Sequence, residues 1–504
     1  MLQDSNASRC LNSDVSDMTA NIEQRVDYYR NKDVRARIVE FLGGDALENP
    51  TCRYLVGGDT HQLQLHHHYG VGALDSLFDA GLEISRSLWD KNSLLADFDV
   101  EYVNFDYAPE AFLEPERVFE MQQPVAATIE RTLREYGISA LHFLSGRGHH
   151  FVWGVQRDSE AFRRLIKLAR GPKSLWKTRP DVQAPEEKDV PMELARAFAG
   201  LGLVMEFFAH KIKEIAAPIT RIPVELTAVE VGPSQHGREM VSIDISEYGD
   251  PLSSRMLRAP FSVYLKPWQQ RWAFGAHVLE NLSPLVVIPL ETITWREGVS
   301  LMRNFAAAQQ LAGNAATKIP ETGESMQKLI DDYEKSSVAK FHAWFYSQEP
   351  HPPDQWPETY DQLPLEILPE CVRGILEQPN DALLRPASIR RLARVMLALG
   401  WHPRHIAGLI TSKYAQPFGW TQFEGCDPAT RADFYTRVFA GLFTTGRDDL
   451  VDFNCVSAQE QKTCPFSNCG FNLLNFRESA LNRRAHDRLA HRPFNRLFLS
   501  SKHS

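Results

Sequence analysis

Three acidic residues in two strand-like segments are the first feature of this sequence that could do chemistry. Asp97 and Asp99 are separated by one residue in the apolar stretch LADFDVEY, and Asp244 lies in the β-branched stretch VSIDIS. Residues two apart in a strand point to the same face, so Asp97 and Asp99 are expected to project together. Neighbouring carboxylates repel each other, and burial adds to the cost. Divalent Mg²⁺ or Mn²⁺ would remove both penalties, because hard cations bind carboxylate oxygens.

If the strand with Asp244 lies beside the strand with Asp97 and Asp99, all three acids share one face. That arrangement predicts a two-metal site for phosphoryl transfer. Asp106 is an alternative ligand, but it follows Asp99 by seven residues and is expected to lie past the strand end. Without Asp244 beside them, Asp97 and Asp99 could instead lie on the solvent-exposed face of an edge strand.

The glycine turn in LSGRGHHF could receive an anion. Glycines let the backbone approach a phosphate closely, and Ser145, Arg147 and a histidine could contact its oxygens. His149 and His150 alternate in a strand, so only one of them can face the same site as the turn. The alternative is an ordinary hairpin turn with a surface arginine.

A third segment, SSRMLRAPFSVYLKPW, carries cations around an apolar centre. Arg255, Arg258 and Lys266 bracket an apolar core that contains Ser262, and cations at this spacing suit the triphosphate of a nucleotide.

Three cysteines near the C-terminus predict a metal site. Cys455, Cys464 and Cys469 follow the spacing C-x8-C-x4-C, and zinc takes four ligands in structural sites. Cys426 is the expected fourth ligand. A helical domain with four cysteines also resembles the iron–sulfur domain of the primase large subunit, but the spacing does not match closely, so zinc is favoured over an iron–sulfur cluster. Three buried thiols without metal are the alternative to both. Other possible fourth ligands are His402, His405 and His486.

Taken in order, the acids, the glycine turn and the cationic segment resemble the archaeo-eukaryotic primase superfamily, in particular the catalytic small subunit of DNA primase. That family has a D-x-D strand, an S-G-x-x-G-x-H type of turn and a third acid in a strand. The stretch IDISEYGDPLSSRMLRAPFSVYLKPW is similar over its whole length, and the resemblance covers roughly residues 90–270. The turn is one residue shorter here than in many members. Tyr264 stands where the family has a histidine, which keeps a hydrogen-bond donor without the positive charge.

The resemblance implies a DNA-dependent primase or primase-polymerase that uses Mg²⁺ or Mn²⁺, nucleoside triphosphates and a DNA template. The implied metal ligands are Asp97, Asp99 and Asp244. The implied phosphate contacts are His150 with Ser145 and Arg147 beside it, and the triphosphate would be held by Arg258, Ser262 and Lys266. Within the same class, a polymerase that extends existing ends in repair or defence is an alternative. A non-catalytic nucleic-acid-binding protein with the same fold is the alternative from another class.

Composition limits the other possibilities. The 504 residues carry a net charge of −9, so nucleic-acid binding through bulk positive charge is not expected. No G-x-x-x-x-G-K-[ST] loop occurs, so unwinding would need a separate helicase partner. The sequence has no long uncharged apolar run and its polar N-terminus lacks secretory-signal features. We therefore expect an intracellular, cytoplasmic protein associated with the nucleoid, without a membrane partner.

Strand and helix patterns alternate irregularly up to about residue 290, and the remainder is nearly all helical, which predicts an α+β fold. ALHFLSGRGHHFVWGV and IPVELTAVEVGPSQHGREMVSIDIS are predicted hairpins, and MELARAFAGLGLVMEFFAHKIKEIA is a predicted buried helix. The resemblance implies a primase-type domain with a mixed or antiparallel sheet, half of it similar to an RNA-recognition motif. The expected organisation is a disordered 1–20, a catalytic domain over 21–290, a helical connector with a proline-rich linker over 291–365, and a helical domain over 366–504 with the cysteines and a basic tail.

Overall fold

The computed structural model of the protein describes residues 22–44, 49–59, 67–176, 190–274, 276–280, 282–283, 285–415 and 427–490. Its helices are α1 (22–29), α2 (Lys32–Phe41), α3 (Leu74–Asp79), α4 (Glu110–Leu113), α5 (Pro115–Tyr136), α6 (Glu160–Leu168), α7 (Met192–Ala216), α8 (Lys266–Gln269), α9 (Arg271–Phe274), α10 (Ala276–Glu280), α11 (Trp295–Leu301), α12 (Phe305–Ala312), α13 (Glu324–Lys335), α14 (Ser337–Phe345), α15 (Glu370–Glu377), α16 (Pro386–Ala398), α17 (Pro403–Tyr414), α18 (Pro428–Thr445), α19 (Cys455–Glu460) and α20 (Leu473–Ala490). Its strands are β1 (Leu55–Gly58), β2 (His67–Tyr69), β3 (Glu83–Ser87), β4 (Ser93–Asn104), β5 (Leu141–Ser145), β6 (Gly148–Gln156), β7 (Val224–Leu226), β8 (Glu239–Asp244), β9 (Met256–Arg258), β10 (Val263–Tyr264), β11 (Leu285–Val286), β12 (Ile288–Pro289) and β13 (Glu321–Thr322). The α+β class predicted from the sequence is confirmed.

The main sheet is mixed and has the strand order β12-β5-β6-β4-β8-β7, with β13 added to β6. The pairs β7–β8 and β13–β6 are parallel and the other pairs are antiparallel. A second, antiparallel sheet has the order β2-β1-β3-β9, and β10 pairs with β11. The centre of the main sheet is therefore β4, which has β6 on one side and β8 on the other.

Alternation along β4 separates an apolar face from an acidic face. Phe98, Val100 and Tyr102 are buried, and the ring of Phe98 packs edge-on against Phe208 of α7 at 4.8 Å between centroids. Side chains alternate between the two faces of a strand, so the acids of DFDVE project from the other face. The apolar face thus fixes which way the acids point.

One predicted hairpin is confirmed and the other is wrong. β5 and β6 form an antiparallel hairpin around the SGRG turn. β7 and β8 are parallel instead, and the polar turn between them is bound to the end of β4. Asn104 donates a side-chain hydrogen bond to the carbonyl of His236 at 2.7 Å, and the amide of Phe105 donates to the carbonyl of Arg238 at 3.0 Å. These contacts hold the turn beside the end of β4, where β8 begins, so the chain runs back from β7 before it enters β8.

The predicted buried helix is confirmed as α7, and it carries an ion pair inside the core. Glu206, with no exposed surface, accepts hydrogen bonds from Arg437 of α18 at 2.8 Å and from His342 of α14 at 3.0 Å. A buried carboxylate is stable only when it is paired in this way. Glu206 therefore joins the sheet-covering helix to helices that come much later in the chain.

Buried side chains from Tyr28 to Ala480 form one continuous core that includes members from each of the three segments expected from the sequence. The proline-rich residues 350–364 fold into short 3₁₀ turns over Pro353–Glu358 and Tyr360–Gln362, and the Tyr360 ring is buried. The expected disordered N-terminus, and the basic tail beyond residue 490, lie outside the described residues. Among the helices described here, none combines the length and the apolar character needed to cross a membrane.

Candidate metal and nucleotide site

The three predicted metal-binding acids lie on two neighbouring strands. Asp99 of β4 pairs directly with Asp244, the last residue of β8, and Asp97 precedes Asp99 on the same face. One carboxylate oxygen of Asp244 accepts a hydrogen bond from the amide of Ser246 at 2.9 Å, which turns the chain sharply after the strand. The antiparallel register of β4 and β8 thus brings together acids that are far apart in sequence.

His150 lies between Asp97 and Asp99. It sits opposite Asp99 in the β4–β6 register; its Nδ1 is 3.1 Å from Asp97 Oδ2, and its Nε2 is 3.8 Å from Asp99 Oδ1. The ring stacks on Phe143 with the centroids 5.0 Å apart. Burial would lower the pKa of His150, but the charges of Asp99 and Asp97 raise it to about 9. The imidazolium form therefore offsets part of the acidic charge.

The acidic charge is only partly offset by His150. Burial raises the pKa of Asp99 well above its ordinary value, and the nearby charges of Glu101, Asp97 and Asp244 raise it further. The buried oxygen Asp99 Oδ1 accepts no hydrogen bond from the described residues. A buried carboxylate oxygen without a donor is a suitable ligand for a cation, so the acids fit the Mg²⁺ or Mn²⁺ that the sequence predicts.

Closely spaced ligand triads occur elsewhere in the described part of the chain. Two sets of three groups have ligand atoms within 4.8 Å of one another, and the three acids of β4 and β8 are not among them. The first set is bound internally, because Glu110 accepts hydrogen bonds from Tyr102, Asn104 and Arg117. In the second set, Asp448 and Asp452 are bound by Arg394. The two sets are Glu110, Glu114 and His236, and Asp448, Asp449 and Asp452.

The glycine turn is shaped by close packing. Gly146 has φ +59°, and a Cβ there would lie 2.1 Å from the ring of Tyr264. A Cβ on Gly148 would lie 2.2 Å from the carbonyl oxygen of Val100 on β4. Both glycines are therefore required for the turn to pass between Tyr264 and the central strand. This packing places Arg147, the residue between them, beside the acids.

The cations predicted to bind phosphates converge near the acids, and carboxylates bind them here. Arg147 forms an ion pair with Glu101, and Lys266 Nζ lies 3.5 Å from the same carboxylate. Arg258 donates to Glu83 at 2.7 Å, and its guanidinium group lies 4.7 Å from the ring centroid of Tyr264. The site therefore contains cationic groups beside the acids, each held by a carboxylate that an anionic ligand would have to replace.

The two predicted serines are placed differently. Ser145 is at the end of β5, opposite Gly148 in the hairpin next to Arg147. Ser262 has no exposed surface; its hydroxyl accepts a hydrogen bond from the amide of Ile84 at 2.7 Å and donates to the carbonyl of Val263. The structure therefore brings Ser145 to the turn and uses the hydroxyl of Ser262 to hold β3 against β10.

Two further acids that the sequence reasoning missed belong to this site. Glu101 follows Asp97 and Asp99 on the same face, and the alternation in DFDVE could have identified it. Glu247 lies three residues after Asp244, and burial and the charge of Asp97 raise its pKa well above the ordinary value. No local pattern marks it. The alternative ligand Asp106 is elsewhere, at the far end of β4, where it binds Arg238 and Lys462.

A second group of residues gathers around the cysteines. Cys455, Cys464 and Cys469 line one cavity of about 340 Å³ together with Cys371 of α15. Burial raises the pKa of Cys371 to about 12; Arg391 lowers it in part, and the other three thiols raise it. The predicted fourth ligand Cys426 lies outside the described residues. Among the residues that are described, the fourth cysteine is Cys371, which the sequence reasoning did not select.

The spacing of the four thiols bears on what they could bind. Within the described residues, no three of the sulfur atoms lie within 4.8 Å of one another. Tetrahedral zinc, with Zn–S bonds of about 2.3 Å, would place its sulfur ligands about 3.8 Å apart. Backbone polar groups already face the thiols, since the amide of Leu473 donates to Cys455 Sγ at 3.3 Å. The spacing is wider than a single zinc ion requires.

His402 and His405, two alternative fourth ligands, lie apart from this cavity. The ring of His402 packs against Trp344, and His405 hydrogen bonds to the hydroxyl of Tyr360. Neither histidine lines the cavity of the cysteines. The side chain of His486 is outside the described part of the structure.

A comparison of the chain with family models, curated proteins and solved structures finds no match.

Proposed function

We propose that this protein is a metal-dependent nucleotidyltransferase, a DNA-dependent primase or primase-polymerase, with a primase-type catalytic domain and a mostly helical C-terminal domain. One observation carries the proposal. Asp97, Asp99 and Asp244 lie on adjacent strands, and the cations Arg147, Arg258 and Lys266 lie beside them. Phosphoryl transfer requires this combination, in which acids bind a divalent metal and neighbouring cations bind phosphate.

Asp97, Asp99 and Asp244 would hold Mg²⁺ or Mn²⁺, which when bound lowers the pKa of the attacking 3′-hydroxyl and stabilises the pyrophosphate leaving group. The side chains supply the rest of the environment. Arg147 and Lys266 exchange the carboxylate of Glu101 for phosphate oxygens, and Arg258 neutralises charge that develops on the triphosphate. His150, bound to Asp97 and Asp99, brings a positive charge to the place where phosphate and acids meet.

The Cys371, Cys455, Cys464 and Cys469 group is proposed to hold a second metal centre. The wide spacing of the sulfur atoms and the size of the cavity support an iron–sulfur cluster over the single zinc ion predicted from the sequence. Four thiolates are the ligand set that such clusters use. The proposed partners are a DNA template, nucleoside triphosphates and a separate helicase, and the proposed location is the cytoplasm, in association with the nucleoid.

Incubating the protein with single-stranded DNA, Mn²⁺ and labelled nucleoside triphosphates tests the proposal. Primase activity requires product from template alone. Product only from a preformed primer supports the end-extending polymerase instead, and DNA binding without incorporation in either reaction supports the non-catalytic alternative. The Asp97→Asn variant is the control, because contaminating polymerase activity would persist in it.

A further inference from the structure

Tyr248 binds the backbone of Asp97 through one hydroxyl group. The hydroxyl donates to the carbonyl oxygen of Asp97 at 2.8 Å and accepts from the amide of Asp97 at 3.2 Å. The Tyr248 ring is 3% exposed, so water does not compete readily for these bonds. Both polar backbone groups of the first predicted metal ligand are thus satisfied by a side chain.

Strand β8 does not supply hydrogen-bond partners for the backbone of Asp97. Pairing between β4 and β8 ends at Asp99 and Asp244, so β8 provides no ladder partner for Asp97. A buried amide and carbonyl without hydrogen-bond partners would destabilise the fold. On the other side of β4, pairing with β6 continues past Asp97 as far as Ser93. The hydroxyl of Tyr248 replaces the missing rung on the β8 side, so β4 is held on both sides at Asp97.

The ring of Tyr248 is held firmly enough to act as a fixed point. Its ring centroid is 5.2 Å from that of Phe198 on α7, and a Cβ on Gly202 would lie 2.9 Å from Tyr248 Cβ. The turn that presents Tyr248 begins at Asp244, whose carboxylate binds the amide of Ser246. The third acid and the residue that fixes the first acid therefore belong to one short segment.

We infer that Tyr248 is a positioning residue for the metal site and sets the separation of the Asp97 and Asp99 carboxylates. The inference rests on the proposed function, because it assumes that Asp97 binds a divalent cation. Tyr248 contacts the backbone of the ligand and not the metal or the substrate. Its loss should therefore weaken metal binding by about 10–100-fold, the range found when groups supporting a metal ligand are removed.

Mn²⁺ binding to the full chain, measured by electron paramagnetic resonance without nucleotide, tests the inference. Tyr248→Phe should raise the Kd for Mn²⁺ at least about tenfold. Tyr333→Phe is the matched control: Tyr333 is also 3% exposed and its hydroxyl also makes a hydrogen bond, to His342 at 3.0 Å. That variant should bind Mn²⁺ like the wild type. Asp97→Asn should bind Mn²⁺ much more weakly than either tyrosine variant.

Gly202→Ala provides a second variant that keeps the hydroxyl and displaces the ring, and it decides the question if Tyr248→Phe does not fold. It should weaken Mn²⁺ binding in the same direction. If Asp97→Asn loses Mn²⁺ binding while Tyr248→Phe and Gly202→Ala bind Mn²⁺ like the wild type, the inference is wrong and the proposed function stands. If the wild type binds no Mn²⁺, or Asp97→Asn binds it unchanged, the proposed metal site is wrong and the inference fails with it.

Discussion

Asp99 of β4 and Asp244 of β8 are opposed residues of one antiparallel ladder. Backbone pairing thus forces two carboxylates to the same place, although each would be more stable apart from the other. Burial and the charges of Glu101, Asp97 and Asp244 together raise the pKa of Asp99. In the metal-free protein this repulsion is a cost to stability that a divalent cation would remove.

Asp99→Asn should therefore abolish nucleotide incorporation and stabilise the metal-free protein. The expected gain in the free energy of unfolding is of order 1 kcal/mol, the usual size of a single-substitution effect, because the change removes a buried carboxylate from its acidic neighbours. Thermal unfolding in a chelating buffer and a primer-synthesis assay measure the two effects. Asp354→Asn, which changes an exposed acid in a 3₁₀ turn, should alter neither property. Incorporation at the wild-type rate by Asp99→Asn would contradict the assignment.

Glu101→Gln should tighten the binding of a nucleoside triphosphate. Removing the charge frees Arg147 and Lys266 for phosphate, and we expect an affinity gain of about tenfold. The same change should cost about 1–3 kcal/mol of stability, since it weakens a partly buried ion pair. Calorimetric titration with a nucleoside triphosphate measures the binding.

The matched control for Glu101 is Glu225→Gln. Glu225 pairs with Lys213 and its side chain is 16% exposed, against 18% for Glu101. It should lose stability without a change in triphosphate affinity. Weaker triphosphate binding by Glu101→Gln would show that Arg147 and Lys266 do not contact phosphates.

The metal-free protein should lose stability as the pH rises from about 6.5 to about 9. The pKa of His150 in the folded state, about 9, is above its ordinary value of 6.5, so protonated His150 stabilises the fold fully below pH 6.5. This contribution disappears as the proton leaves, and it amounts to at most about 3 kcal/mol. Denaturant unfolding at several pH values measures the slope. His150→Gln should flatten it, and His351→Gln should not; an equal slope in both variants would refute the account.

Cys371→Ser should remove the metal centre as completely as Cys464→Ser does. Metal analysis and visible absorption of protein purified without oxygen measure occupancy, with iron and a broad visible band expected for the wild type. Loss of a structural metal can cost about 10 kcal/mol in small modules, so α15 and α19 should become less stable to proteolysis. Cys52→Ser is the control, because Cys52 is also buried but does not line the cavity. Full metal content in Cys371→Ser would exclude it as a ligand, and one zinc per chain would restore the sequence prediction.

Local patterns allowed the acids and the turn to be predicted from the sequence. The alternation in LADFDVEY fixes which face of β4 is acidic, and glycines at 146 and 148 mark the hairpin. Both depend on residues a few positions apart, where the period of a strand applies directly. The same alternation, extended by two residues past Asp99, identifies Glu101 as a third acid on this face.

Contacts between distant segments could not be predicted in this way. Cys371 lies 84 positions before Cys455 in sequence, and only the packing of α15 beside α19 and the following loop brings it to the other thiols. The turn between the parallel strands β7 and β8 is bound by Asn104 of β4, which lies 132 positions earlier in the sequence. Ser262 lies between cations in the sequence, as a triphosphate contact would, but its hydroxyl accepts a hydrogen bond from the amide of Ile84 on β3.

The ion pair between Glu206 and Arg437 has a consequence for how this chain can diverge. Each residue is buried and is the nearest charged partner of the other, so loss of either leaves a buried charge with weaker partners, His342 for Glu206 and Asp433 for Arg437, at a cost of up to about 3–5 kcal/mol. A single mutation at one position is therefore disfavoured, and the pair changes most readily when both positions change together. Recombination that joined the first half of this chain to the second half of a diverged relative would succeed only if the incoming half kept an arginine at the position of Arg437. The two halves are consequently expected to be inherited as one unit, with these two positions co-varying among descendants.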